Sequence, residues 1–438
     1  MKNTKTVNLA WLFLGTLTVL LSLFFASPTR AAGSTNGFNA ICNGTVSSGI
    51  ACSGAFVDAT VTAFSGSDFC ATVNNALAAL PSSSGGVVDA RGLTTPATCA
   101  ANLYTGITQP SIVLLPPGTI TVSASWVMPN KSQLIGEGRD ATTIKAASGF
   151  SGDVIDMGAS GCNPHTQQIF GVVISDLTIN LNHVSTATYG IADNCAAEGS
   201  EVNRVTISTV NTIGLLIGTN HSGPYSDLYI LAGGSNTAAC VMITGSSTRG
   251  IHGITCIGDG SPSAGIYLDG ENDTIEDGHF EGVVDSILVG NSEPAADNLI
   301  YNITAADNGT ANVTNIVHIS NATTSGVANV SDLTLLQIGA YTIAGDTIKD
   351  DLTSTDLADP FVAIYVLGQP LGTISGGTGY SRFTTSTSNA TGHAATWASG
   401  PGTPTGSCPT GSLFTNTTGG PKTTLYVCEA SSWVPASF

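Results

Sequence analysis

From Ile174 the chain reads ISDLTI, and a six-residue unit of the same kind returns downstream. It appears as VNRVTI from Val202, YSDLYI from Tyr225, IHGITC from Ile251, IEDGHF from Ile275, IYNITA from Ile300 and VSDLTL from Val330. The starts lie 28, 23, 26, 24, 25 and 30 residues apart. Positions 1, 4 and 6 are nearly always apolar and are expected to point inward. Positions 2, 3 and 5 face out or sit at a bend. A second apolar series lies between the units, at Tyr189–Ile191, Ile213–Ile217, Val241–Ile243, Gly265–Leu268, Ile287–Val289 and Ile316–Ile319. The period is too short for a propeller blade, and long helix-period stretches are missing. Two or three short strands per turn, with Gly and Asn at the corners, fit an all-β fold: a right-handed parallel β-helix, a solenoid whose turns stack about 4.8 Å apart.

Working outward from the repeats, Asp68 to Leu80 spaces Phe69, Val73, Ala76, Leu77 and Leu80 as one helix face, and Pro81 stops it. A capping helix over the open first turn follows. At the other end, Gly372 to Thr405 is rich in Gly, Ser and Thr and reads as a linker. Cys408 to Trp433 reads as a small disulfide-closed β module whose Phe414, Tyr426 and Trp433 either stack on sugars or fill its core. The expected organisation is a signal peptide at 1–31, an extension at 32–60, the cap and first turns at 61–148, and repeats at 149–370. A linker at 371–405 and the module at 406–438 complete it.

Lys2 and Lys5 precede the apolar run Leu9 to Ala26, and Thr29 and Ala31 suit cleavage after Ala31. The alternative is an uncleaved anchor. Cleavage removes three cations and takes the net charge from −18 to −21. With only 12 Lys and Arg against 30 acids, nucleic-acid binding and attachment to a membrane surface are excluded. Ten cysteines suit an oxidising compartment, outside the cell or in a periplasm, and no CxxC supports zinc. Neighbours in sequence are the economical disulfides: Cys42 with Cys52, Cys70 with Cys99, Cys162 with Cys195, Cys240 with Cys256 and Cys408 with Cys428.

Val113 to Ile144, VLLPPGTITVSASWVMPNKSQLIGEGRDATTI, resembles the opening turns of the pectate lyase superfamily, and GGVVDARGL from Gly85 agrees with that pattern. The resemblance covers roughly Val61 to Gly368. It implies the β-helix and a polysaccharide partner. It carries over no catalytic residue, since the Asn-Thr-Asp, Asp-Asp, Gly-His-Gly and Arg-Ile-Lys motifs of the polygalacturonase branch are absent.

In such a coil, equivalent positions form columns. Position 2 stacks His252, Glu276 and Tyr301, and position 5 adds Tyr229 and His279, with Asp277 at position 3 between them. Glu276, Asp277 and His252 are thus candidate acid/base groups, and Tyr229, His279 and Tyr301 candidate sugar contacts. The plain alternative is a solvated face with an ordinary Glu276–His252 pair. Position 3 sets Arg204 between Asp176 and Asp227. A charge ladder explains this. The sharper reading makes Arg204 the proton-abstracting base of a lyase and the two aspartates calcium ligands, completed by loop acids such as Asp193, Glu198 and Glu201. The stretch Asp269, Glu271, Asp273, Glu276, Asp277, Glu281, Asp285 reads as a solvated edge. The expected function is a secreted protein that binds and cleaves polysaccharide as a lyase or glycoside hydrolase, with calcium the one cofactor to consider. The alternative is a non-catalytic adhesive module using the coil as a stiff spacer. Oligomeric state stays open.

Overall fold

The computed structural model describes residues 55–351, apart from 164–165, 219–220, 235–238, 246–249, 292–294, 307, 310–312, 321–329, 332, 341–343 and 345–347. Beyond 351 it describes 364–367, 374–376 and 397–436, the last with short omissions. The signal peptide, Cys42 and Cys52 lie outside the described residues.

The chain winds a parallel β-helix. A 15-stranded sheet and a ten-stranded sheet run its length, and within each the strands pair with their counterparts one turn away. The six-residue units form the first sheet, as Val173–Asn180, Glu201–Val210, Tyr225–Ala232, Ile251–Ile257, Thr274–Glu281, Leu299–Ala306 and Leu333–Ala340. Ile174, Leu177 and Ile179 are fully buried, as are their counterparts Val202, Val205 and Ile207. The apolar positions therefore make the core, as the pattern requires.

Position 3 is a bend. Asp176, Arg204, Asp227, Gly253, Asp277 and Asn302 all carry φ between 51° and 76°. This left-handed conformation is natural for Gly and tolerable for Asn and Asp, whose short side chains bond locally. The preference for Asp, Asn and Gly in that column is thus a backbone requirement. The bend turns each strand so that its two halves serve different faces. Below Val173–Asn180 the halves even pair with separate strands, Ser132–Ile135 and Thr142–Ala146.

The register holds from Ser175 through Asn203, Ser226, His252 and Glu276 to Tyr301. It departs from expectation one turn later. Tyr301 pairs with Leu336, not Ser331, and Thr304 with Gly339, not Thr334. Val330–Ser331 pairs instead with Ala295–Ala296 in a separate two-stranded sheet. The turn before Leu333 is longer than its predecessors, and VSDLTL imitates the unit just ahead of the true one.

The helix Phe69–Ala78 covers the first turn. Asp68 caps it by accepting from the Ala71 N–H at 2.8 Å, and its other oxygen accepts from the Ala100 N–H at 2.8 Å. A cap of this kind contributes about 1 kcal/mol. Phe69, Val73, Ala76 and Leu77 are buried beneath the helix, which shields an otherwise open strand edge. The coil begins earlier than its helix suggests, with Ala55–Asp58 parallel to Gly86–Asp89. Disulfides join Cys70 to Cys99, Cys162 to Cys195, Cys240 to Cys256 and Cys408 to Cys428. The C-terminal sheet holds Leu413–Asn416, Leu425–Glu429 and Ser432–Pro435, and takes a fourth strand, Trp397–Gly400, from the Gly/Ser/Thr-rich stretch. Tyr426 is buried there, while Phe414 and Trp433 meet edge to face with centroids 5.8 Å apart.

Candidate active site

The ten-stranded sheet faces outward in two columns. One runs Tyr189, Ile213, Ala239, Ala264, Asp285, Asn315. The other runs Val127, Asp156, Ala192, Leu216, Met242, Tyr267, Leu288, His318, Lys349. The middle of this outer face is apolar. Ile213, Ala239, Ala264, Tyr267 and Leu288 pack together with Tyr189 and Met242 in a cluster separate from the main core. Ile213, Leu216, Tyr267 and Leu288 are each only 8% exposed, so the strip is recessed. The signal was present in runs such as IGLLI and ACVMI, which are apolar at every position, where a strand with one wet face alternates.

Ionisable groups close the strip at both ends. At one end stand Asp153 and Asp156, 8% and 4% exposed. Their carboxyls share a hydrogen bond, and burial raises both pKa values, that of Asp156 to about 8 with help from the Asp153 charge. Burial thus favours the protonated form of Asp156. The Tyr189 N–H supports the Asp153 carboxylate, whose Oδ1 has no protein partner. Asn194 reaches Asp156 Oδ1 at 3.4 Å. Val127, on the strand next to Asp156, lies in the lining of a cleft of about 680 Å³ formed with Asn102–Ile107 and Gly158–Cys162.

At the other end His318 Nδ1 lies 2.8 Å from Asp285 Oδ2, and its Nε2 lies 2.9 Å from Asp351 Oδ2. Lys349 Nζ donates to the same Asp351 oxygen at 3.0 Å. Burial opposes charge on the imidazole, but the two carboxylates outweigh it and its pKa rises. Five strand steps separate Asp156 from Asp285, which at the usual spacing is about 24 Å. The two clusters cannot act on one bond, but one extended chain can touch both.

The residues singled out in the sequence lie on the bent sheet. His252, Glu276 and Tyr301 do stack, with His252 Nδ1 bonded to Glu276 Oε1. Tyr229 and His279 are on the far side of the bend, and His279 bonds Glu281 at 2.8 Å and Thr304 at 3.1 Å. Asp277 occupies the bend and accepts from Asn302 at 2.6 Å. The expected single patch is thus split across two faces. Both oxygens of Asp176 accept from Arg204, at 2.6 and 2.7 Å, and Arg139 bonds the Asp227 carbonyl. Asp193 is no loop acid. It is fully buried in a corner of the coil, where it accepts from Tyr225 Oη and the Ala196 N–H, and burial pushes its pKa to about 7. Asp269, Asp273 and Asp285, read as parts of a solvated edge, are buried. Among the described residues no cluster of three or more His, Cys, Asp or Glu side chains is arranged to hold a metal ion.

A family model described as rhamnogalacturonase A/epimerase, pectate lyase-like, matches residues 95–331, more than half of the chain. The chain belongs to that family. The matched span carries Asp153, Asp156, Asp285 and His318, while Lys349 and Asp351 lie beyond it. No curated protein matches this rhamnogalacturonase A/epimerase-like chain. Among solved structures it is similar to ORF18 of Geobacillus virus E2, with 15% identity, a TM-score of 0.38, and coverage of 73% of this chain and 60% of that one. The A-module of mannuronan C-5 epimerase AlgE4 from Azotobacter vinelandii gives 11% identity and a TM-score of 0.25, over 66% of this chain and 100% of that one. The Agl-KA catalytic domain gives 16% identity and a TM-score of 0.31, over 72% and 63%. The chain therefore spans less than two thirds of the viral protein.

Proposed function

We propose that this protein is a secreted polysaccharide hydrolase that lays its glycan along the outer face of the ten-stranded sheet. The observation that carries this reading is the Asp153–Asp156 pair, two buried carboxyls bonded to each other, with Asp156 on the strand beside a cleft and burial raising both pKa values. Strongly shifted carboxyls next to a cavity are the signature of acid/base chemistry. Asp156 gives its proton to the glycosidic oxygen as the C1–O bond breaks, and the Asp153 charge stabilises the cationic sugar ring. Water then bonds to C1 and returns a proton to the pair. The two carboxyls are hydrogen-bonded to each other, closer than the roughly 5 to 9.5 Å between acid and nucleophile or base in glycosidases. They therefore work as one unit on one side of the bond. Tyr267, Leu288 and Met242 give apolar surface for sugar rings to lie against.

Export is supported by the basic and apolar N-terminal sequence, which reads as a signal, and by four disulfides among the described residues, which suit an oxidising compartment. No helix among the described residues is long and apolar enough to cross a membrane. Calcium enters as a proposal, as a bridge between an acidic glycan and this acidic protein.

A panel of polysaccharides is digested with the purified protein, with calcium and with a chelator. Reducing ends and the ultraviolet absorbance of unsaturated products are read together. New reducing ends without the double-bond signal are expected, and Asp156→Asn abolishes them. Unsaturated products would make the protein a lyase or overturn the assignment of Asp156. Tight binding without products would favour the adhesive role.

A further inference from the structure

We propose that His318 and Lys349 form a carboxylate-binding subsite for an acidic sugar, filled in the free protein by the chain's own Asp351. The proposal rests on the reading that glycan follows the ten-stranded sheet, and it names the substrate as a uronate-containing chain. Its first support is the geometry at one atom. Asp351 Oδ2 lies 2.9 Å from His318 Nε2 and accepts from Lys349 Nζ at 3.0 Å. A single oxygen held by an imidazole and an ammonium is an anion site already built, with Asp351 marking where a ligand carboxylate would lie.

The second support is where cations are placed. The chain has 12 Lys and Arg against 30 acids. Among the described residues of the two outward columns, His318 and Lys349 are the only basic side chains. They stand side by side on neighbouring strands, at the end of the apolar strip. A protein of net charge −18 repels a polyanion over most of its surface, so the place where the outer columns carry two bases, balanced by Asp285 and Asp351, is where an acidic chain can settle by taking over one of those pairings.

The third support is the contrast between the two carboxylates. Asp285 is a fixed partner, its side chain 6% exposed and one oxygen accepting from Asn315 Nδ2 at 2.7 Å. It holds Nδ1 and so directs Nε2 toward the outer face. Asp351 is 35% exposed and follows the last residue of the strand Ile348–Asp350. It satisfies the same donors from a position that a ligand can contest. Exchanging one carboxylate for another conserves the number of charge-assisted hydrogen bonds, and the apolar strip then adds sugar contacts that Asp351 lacks.

The test uses the full chain carrying Asp156→Asn, so that bound glycan stays intact. Galacturonate, mannuronate and glucuronate oligomers, each beside its carboxyl-reduced neutral form, are titrated by calorimetry. An acidic oligomer is expected to bind more tightly than its neutral form. Lys349→Gln weakens the acidic oligomer about tenfold, the loss expected for one charge-assisted bond, and leaves the neutral form unchanged. Lys349→Arg restores most of that loss, and Asp351→Asn tightens the acidic oligomer severalfold by removing the internal competitor. Equal binding of acidic and neutral forms overturns the subsite alone. So does an Asp351→Asn that weakens binding as much as Lys349→Gln in a protein with an unchanged melting temperature. If no oligomer of either kind binds, the glycan-bearing face itself is wrong and both readings fall.

Discussion

The coil presents two outer surfaces built from the same repeat, and they differ in kind. Outward positions of the bent sheet are Ser, Thr, Asn, His, Glu and Tyr, many of them half-buried and bonded to the next turn, as Glu276 is to His252 and His279 to Thr304. Outward positions of the ten-stranded sheet are Leu, Ile, Met, Ala and Tyr, recessed, with buried ionisable groups at both ends. The first surface is what a solenoid needs to stay wet. The second keeps its apolar side chains almost wholly out of water, packed on one another outside the main core, and is the face on which the proposed glycan would lie. Clustered charge alone is thus a poor guide to a site in a repeat protein, because stacking places like positions together whether or not they act. Buried charge beside an apolar trough is a better one.

The largest expected effect separates the two surfaces directly. Asp156→Asn removes the acid and should cut turnover by at least about 100-fold, with the melting temperature held or raised because a raised-pKa carboxyl is replaced. Glu276→Gln on the other surface should leave turnover within about twofold. Steady-state kinetics on both variants, each checked by thermal melting, decides the comparison. If Glu276→Gln is the damaging change, the site belongs on the bent sheet.

A middle-sized effect concerns the trough. Tyr267→Ala removes an aromatic surface from the strip and should raise KM about tenfold, roughly 1.4 kcal/mol, with kcat little altered. The matching change on the bent sheet, Tyr301→Ala, should leave KM within about twofold. A fall in kcat for Tyr267→Ala at constant KM would place that ring at the reacting bond and not along the chain.

The buried acids also give the protein a characteristic response to pH. The folded pKa values of Asp193 and Asp156 are raised by burial to about 7 and about 8, against roughly 3.9 when unfolded. Stability from each is complete below the unfolded value and is lost as pH rises through the folded one. His318, raised by Asp285 and Asp351 against its burial, acts in the same direction. Asp89 and Asp176, lowered by Arg91 and Arg204, act oppositely, but those arginines are half exposed and their pairs count for little. The melting temperature should therefore fall between pH 5 and pH 8, and Asp193→Asn should flatten part of that fall. A melting temperature that rises across this interval would show that these carboxyls ionise without cost.

Most of the fold could be read because its cause is local. Apolar residues at positions 1, 4 and 6, helix spacing from Phe69 to Leu77, and Cys256 facing Cys240 each follow from a pattern within a few dozen residues. The slip at Val330 shows the limit, since a six-residue match carries no information about the length of the turn before it. The site was less legible for another reason. Asp156 lies on a three-residue strand and Asp153 just before it, in a turn without the repeating unit, and their meaning comes from burial and from each other. Lys349 and His318 sit 31 residues apart with no shared motif and meet only through the strand register.

The smallest effect tests why position 3 carries Asp, Asn and Gly. Arg204 is the exception in that column, holding φ at 52° with a long side chain. A left-handed non-Gly residue costs about 1 kcal/mol or somewhat more, and Asn bears that conformation more easily. Against this stands the Arg204–Asp176 pair, whose arginine is 51% exposed and which therefore contributes between about 0 and 1 kcal/mol. Arg204→Asn should leave stability within about 1 kcal/mol of the parent, on the stabilising side at high salt, where the ion pair is screened and the backbone preference is not. Arg204→Val keeps the bend but adds a β-branched side chain and should destabilise at any salt concentration. Denaturant titrations at two ionic strengths give both numbers. A loss of several kcal/mol for Arg204→Asn would mean that the ion pair, and not the backbone, holds this corner of the coil.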